Sequence, residues 1–276
     1  MVAYLRFPPP AGQVGLVEHY WMVEGGGAAD QILVPNGRPA LAVALGTPGR
    51  RHDPVTGSSW VNDGSLFGVM TRPHVLGQSG PSSYAGAELK PWGIAALTSR
   101  RLVDQVLPLD AWLGPGTTEG LAARLRGCEF GPSRAAALAD WLAPRLRPVD
   151  VAVAERAVRL IEESRGTLPV AELARALDVP YSTLHRRFRE LVGVGPKQFG
   201  EIVRFFHFTG GLLDGPADGT AMLAALHGYY DQAHAARDFK RYTGVSASSF
   251  RAVSNGIAAL MHERSVQDLS AGEQAR

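Results

Sequence analysis

The sequence predicts an α+β chain: a β-rich N-terminal region, a helical connector, and a C-terminal all-α region of two helix-turn-helix units joined by a long helix. Three observations carry this. Up to about residue 97, short apolar runs are broken by Gly, Pro, Asn and Asp at close spacing, the pattern of a sandwich or barrel. From Ser99, apolar residues recur every three and four positions, the period of a helix buried on one face. After Asp150, a short helix, a tight break and a longer helix occur twice, each time closed by glycine, the arrangement of a helix-turn-helix.

Taken in order, QILVPNGRPALAVALGTPG, GSLFGVMTRPHVLGQSGPSS and AELKPWGIAALTS supply the N-terminal strands. SRRLVDQVLPLDAWLG, TTEGLAARLRG and GPSRAAALADWLAPRL read as three amphipathic helices, either connecting the two halves or supporting a subunit contact. Pro148 and Asp150 mark a boundary, so the expected division is 1–98, 99–150, 151–255 and a tail 256–276.

In the C-terminal region, residues 154–165 form a first helix with Ala157, Val158, Leu160 and Ile161 inward, stopped by Gly166. Val170 to Leu177 is a short helix, Asp178-Val179-Pro180 the break, and Tyr181 to Val192 the second helix, closed by Gly193. Leu184, Phe188 and Leu191 fall at i, i+4 and i+7 and make its buried stripe. Ser182, His185, Arg186 and Arg189 are left on the opposite face, a set suited to the major groove. Pro196 opens a long helix at the first helical position, where its missing N–H costs nothing. Phe199, Ile202, Val203, Phe206 and Leu213 face its core side. Met222 to Leu226 is the next short helix, with Gly228 in the turn. Asp231 caps a helix from Gln232 to Tyr242 with Ala235 and Phe239 inward, and Gly244 closes it. Gln232, His234 and Arg237 remain outside, with Lys240 and Arg241 towards the end. Ser246 caps a last short helix through Phe250.

LARALDVPYSTLHRRFRELVGVGPKQF and GYYDQAHAARDFKRYTGVSASSF together resemble the AraC-type family of transcriptional regulators. The second segment is the more specific, through Gly-aromatic-x-Asp-Gln-x-His, Arg-x-Phe-Lys and Gly-Val-Ser. RFPPP, LVEHYW and VPNGRPAL are similar to the cupin-like sensory or dimerisation domain that precedes this module in one subgroup. The resemblance implies a one-component regulator of double-stranded DNA. It places Ser182, His185, Arg186, Gln232, His234 and Arg237 at base edges, and Arg187, Arg189, Lys240 and Arg241 at phosphates. It also implies a small-molecule effector, a homodimer, and RNA polymerase as partner of an activator. Two departures are Ala235, where a larger apolar residue is frequent, and Gly210-Gly211 in the long helix. Each interior Gly costs about 1 kcal/mol relative to Ala, so the second unit is expected to be looser than the first.

Composition excludes other classes. The 276 residues are 45% hydrophobic and 20% charged, a globular balance. Net charge is +2, and Val151 to Asn255 carries 13 Lys/Arg against 11 Asp/Glu; placement of charge, not its total, has to make a DNA face. The single cysteine, Cys128, forms no internal disulfide, and no secretion signal or spanning segment is evident, which points to a cytoplasmic protein without membrane contact. No phosphate loop or nucleophile elbow occurs, and no cofactor is expected. The competing class is a metal-dependent cupin-type enzyme with an accessory DNA-binding domain. It would need several of His19, His52, His74 and nearby acids to converge on one ion; no H-x-H pair exists, so no metal site is expected. Trp21, Trp60 and Trp92 are read first as core residues and second as the lining of a small-molecule pocket.

Overall fold

The computed structural model describes residues 2–26, 29–214, 227–247 and 249–250. Among these described residues, ten strands form two antiparallel sheets: β1 Val2–Phe7, β2 Val17–Gly25, β3 Ala29–Leu33, β4 Ala40–Ala44, β5 Arg50–His52, β6 Ser59–Val61, β7 Gly64–Phe67, β8 His74–Gln78, β9 Ser82–Leu89 and β10 Val106–Pro108. The larger sheet has the order β1-β2-β9-β4-β7-β10 and the smaller β3-β8-β5-β6. The described α-helices are α1 Gly93–Leu97, α2 Leu109–Leu113, α3 Thr117–Arg126, α4 Pro132–Leu142, α5 Ala152–Glu163, α6 Val170–Ala176, α7 Tyr181–Val192, α8 Pro196–Asp214 and α9 Gln232–Thr243.

The larger sheet is covered on both faces. On one, Tyr20, Met22, Leu41, Val43, Leu66 and Ala87 share a core with Leu121, Leu125, Leu138 and Leu142 of α3 and α4. Side chains alternate across a strand, so the neighbouring positions Trp21, Ala40, Ala42, Tyr84 and Phe67 turn to the other face. There they line a cavity that also meets the smaller sheet. Gly86 is required in that row, because a Cβ there would lie 2.3 Å from Trp21 Cζ2.

Three expectations are corrected. Residues 99–150 do not merely connect: α2 to α4 lie on the sheet, because their apolar stripes match its outward face. SRRLVDQVLPLDAWLG is not one helix. Asp104 has a φ of +50° and its carboxylate accepts from the Thr71 N–H and hydroxyl at 2.6 Å each. Val106 and Leu107 then pair with β7, and Pro108 leads into the single turn α2. AELKPWGIAALTS is strand only to Leu89. Pro91 cannot continue a ladder, the Gly93 N–H turns back to the Lys90 carbonyl at 2.7 Å, and α1 follows.

The C-terminal helices meet the N-terminal region in one continuous core. Val69 and Trp92 pack with Phe188, Phe199, Ile202 and Phe239. The loop between β3 and β4 docks on these helices. Gly37, at φ +76°, lies against the Phe199 ring, where a Cβ would be 2.8 Å from Cε2. Arg38 Nη2 reaches Glu162 of α5 at 2.7 Å and Arg38 Nε reaches Glu18 at 3.6 Å. Lys90 Nζ sits 2.9 Å from the same Glu18 carboxylate.

Candidate nucleic-acid interface

The first unit is α6, a break and α7. Asp178 takes a φ of +54°, and the Val179 N–H returns to the Ala174 carbonyl at 3.2 Å; Pro180 then leads into α7. Leu184, Phe188 and Val192 are buried, and the Phe188 ring meets Phe199 of α8 edge-on at 5.5 Å. The stripe thus runs i, i+4, i+8 and ends on Val192; Leu191, expected at its end, is half-buried. On α5, Ala154 takes the inward place, and Leu160 is half-buried. Gly193 stops α7 at φ +94°, where an added Cβ would lie 2.9 Å from the Val103 side chain of the N-terminal region.

Ser182, Arg186, Arg187 and Arg189 are exposed on the far side. Arg186 Nη1 lies 3.1 Å from Glu190 Oε1, and Arg187 Nη1 lies 3.9 Å from Oε2 of the same residue. Exposed pairs of this spacing contribute only about 0.3–0.5 kcal/mol, so they hold both arginines weakly. His185 differs: it is half-buried, stacked on Tyr181 at 6.0 Å, and faces Gly195, where a Cβ would lie 3.2 Å from Nε2.

The long helix α8 runs unbroken through Gly210 and Gly211 to Asp214. Phe199, Ile202, Val203 and Phe206 are inward as the spacing required, together with Phe205 and Phe208; burial of Leu213 and the segment Met222 to Leu226 lie outside the described residues. In the second unit Gly228 has a φ of +71°, and the Asp231 side chain accepts from the His234 N–H at 2.6 Å. Ala235 and Phe239 are buried, and Gly244, at φ +77°, closes α9. Ser246 Oγ accepts from the Ser249 N–H at 3.2 Å.

Gln232, Arg237 and Lys240 are exposed, and Arg237 Nε only touches its own helix at the Ala233 carbonyl, 3.3 Å. His234 is half-buried, edge-on to Tyr229 at 5.3 Å and 3.7 Å from Asp238 Oδ2; Arg204 of α8 reaches the same carboxylate at 3.5 Å. Burial, and then the Asp238 carboxylate, push the Tyr229 phenol up to about 12. Arg241 is held to Glu201 of α8 at 3.6 Å. The structure therefore presents Ser182, Arg186, Arg187, Arg189, Gln232, Arg237 and Lys240 outward. His185 and His234 are half-buried, and Arg241, beside Glu201, is exposed as well.

A cleft of about 500 Å³ joins the two units, lined by His185 and Arg189 of α7, Lys197 of α8 and Arg241 of α9. Arg101 of the N-terminal region lines the same cleft. Sequence reasoning missed Arg101 and Lys197, because their place beside the two units depends on how α7 docks on residues 101–103. Elsewhere, His74 is bonded to Arg51. Among the described residues, no group of three or more His, Cys, Asp or Glu is placed to hold a metal. No helix among them is long and apolar enough to cross a membrane.

Residues 173–252 match the family model described as Helix-turn-helix domain, and residues 5–106 match a Domain of unknown function (DUF6597). The C-terminal helices form an AraC-type helix-turn-helix domain. A comparison with curated proteins returns no match. Among solved structures, ToxT from Vibrio cholerae O395 is similar at 10% identity and a TM-score of 0.52, covering 92% of this chain and 99% of that one. A second ToxT crystal form gives 10% identity and 0.53, covering 93% and 99%. ToxT bound to (E)-4-(8-methylnaphthalen-1-yl)but-3-enoic acid gives 10% and 0.52, covering 92% and 99%. At this identity the likeness is one of fold, and it spans the β-rich region as well as the AraC-type domain.

Proposed function

We propose that the protein is a sequence-specific transcriptional regulator whose α7 and α9 enter the major groove of one duplex. The observation that carries this is the pair of helices, each buried on one stripe and each presenting exposed basic and polar side chains outward, Ser182, Arg186, Arg187 and Arg189 on α7 and Gln232, Arg237 and Lys240 on α9. On this reading Ser182, Arg186, Gln232 and Arg237 address base edges, and Arg187, Arg189 and Lys240 address phosphates. His185 and His234 position the two helices, and Arg241 braces α9 on α8. Phosphate contacts supply most of the affinity and the outward polar groups the sequence choice. Residues 151–255 form the DNA-binding region, and residues 1–150 the sensing region with α2 to α4 as its cover.

The cavity between the two sheets is read as the effector site. The ToxT structure with a bound naphthalenyl-butenoic acid supports a small organic effector, and the wall shared with α8 supplies a route to the DNA-binding region. The protein acts in the cytoplasm, with RNA polymerase as partner where it activates and a second copy where the site is palindromic. The fold favours regulation over catalysis. Selection of bound fragments from a random duplex pool tests the reading. A bipartite motif is expected; no enrichment over input at moderate salt overturns it.

A further inference from the structure

The smaller sheet brings a buried cation to the cavity. Gln31, Leu76 and Arg51 are direct cross-strand partners, so they share one face, and all three line the cavity. Arg51 is only 7% exposed. Its partners are neutral: Nε donates to His74 Nδ1 at 3.1 Å, Nη2 to Met70 Sδ at 3.0 Å, and the guanidinium lies over the Phe67 ring at 4.2 Å. Glu88 lines the same cavity, but it belongs to the cluster around Arg38, where Glu18 and Glu162 also sit. Among the described residues no carboxylate forms an ion pair with Arg51, and a buried charge without a counterion is costly. Burial lowers the Arg51 pKa to about 9, which still leaves the group protonated at neutral pH.

The rest of the lining is mostly apolar, and the small side chains Ala40 and Ala42 open the space. Two buried polar atoms there also lack partners, Trp21 Nε1 and Asn62 Oδ1. The cavity is about 160 Å³, close to the roughly 150 Å³ that admits benzene. Arg38 also lines the cavity but is paired with Glu18 and Glu162, so the one guanidinium left, that of Arg51, suits one negative charge, and apolar walls exclude a strongly hydrated dianion. We propose that this cavity binds a monocarboxylate with a single-ring apolar body, its carboxylate held by Arg51 and its ring between Trp21, Ala42 and Phe67. The proposal rests on the effector reading above and narrows it to a ligand class and an anchor. Phe206 of α8 and Phe250 complete the wall, so the bound ring touches the elements that carry the second helix-turn-helix unit.

Calorimetric titration of the full chain, free of DNA, with benzoate, benzamide and inorganic phosphate tests this. Benzoate is expected to bind one per chain, benzamide at least tenfold more weakly, and phosphate not at all. Arg51→Met should abolish the preference for benzoate over benzamide, and Ala42→Phe should abolish binding of both, each variant being checked by its melting transition. Equal binding of benzoate and benzamide, no benzoate binding, or full benzoate affinity in folded Arg51→Met overturns the proposal. The ratio of the two probes on the unmodified chain decides it even where Arg51→Met does not fold. Fragment selection by the ligand-free chain reports separately on DNA binding, so the two can fail independently.

Discussion

At the scale of single residues, two of the three arginines of α7, Arg186 and Arg189, have different tasks on the proposed reading. Arg186 stands on the outward face one turn from Glu190, in an exposed pair at 3.1 Å that on the proposed reading opens when DNA binds. Arginine bonds guanine O6 and N7 together, so Arg186→Ala should cost roughly 1–3 kcal/mol on the selected site and relax one base pair. Arg189 lines the cleft near the helix end, where a phosphate is the nearer target. Arg189→Ala should weaken binding to all sequences alike and reduce the salt slope by about one unit. Titrations on selected and scrambled duplexes at several salt concentrations check both; unchanged affinity in both variants would contradict the assignment. These residues were legible in the sequence, because a helix with apolar residues at i and i+4 defines its own outer face. His185 and His234 were assigned to that face by spacing alone. Their partial burial depends on Tyr181 and Gly195 in one case and Tyr229 and Asp238 in the other, which spacing does not reveal.

At the scale of elements, Pro and Gly punctuation made the described C-terminal helices readable to within about two residues, since each cap is local. The sheets were not readable in this way. The row Gln31, Leu76 and Arg51 exists only through the register of β3 and β5 on β8, and Arg51 alone looks like any surface arginine. QILVPNGRPALAVALGTPG was legible as apolar runs broken by Pro, Asn and Gly, but not that the break inserts Gly37 and Arg38 against α8 and α5. Burial opposes the charge of Arg38, yet the carboxylates of Glu162, Glu18 and Glu88 outweigh it and hold its pKa above the ordinary value. Removing one member of a buried ion pair costs about 3–5 kcal/mol, because the other charges stay unneutralised. Arg38→Met should therefore lower the urea midpoint far more than Glu162→Gln. The double variant should show a coupling of about 0.5–3 kcal/mol; strict additivity would show that the contact does not join the two regions.

At the scale of the whole molecule, the shared core around Val69, Trp92 and Phe199 makes the two regions one stability unit. Burial holds His19 down at about 4, helped by Arg6, and His74 at about 3, helped by Arg51; His227 is lowered in the same way. The unfolded chain takes up these protons near pH 6.5, before the folded chain does. Stability is thus full above pH 6.5 and is lost as pH falls towards the folded values, by about 1.4 kcal/mol per pH unit for each buried histidine. Urea midpoints between pH 6.5 and 5, above most carboxylate titration, should fall steadily; His74→Gln should flatten the slope, and a pH-independent midpoint would contradict the burial of these rings. The central claim is that α7 and α9, both packed on α8, read one continuous site. Successive major-groove faces on one side of a duplex lie roughly 34 Å apart. Hydroxyl-radical footprinting of the chain on its selected duplex tests this most directly. Two protected patches about one helical turn apart are predicted, the patch assigned to α9 fading in Arg237→Ala while the other persists; a single short patch unchanged by Arg237→Ala would contradict the account.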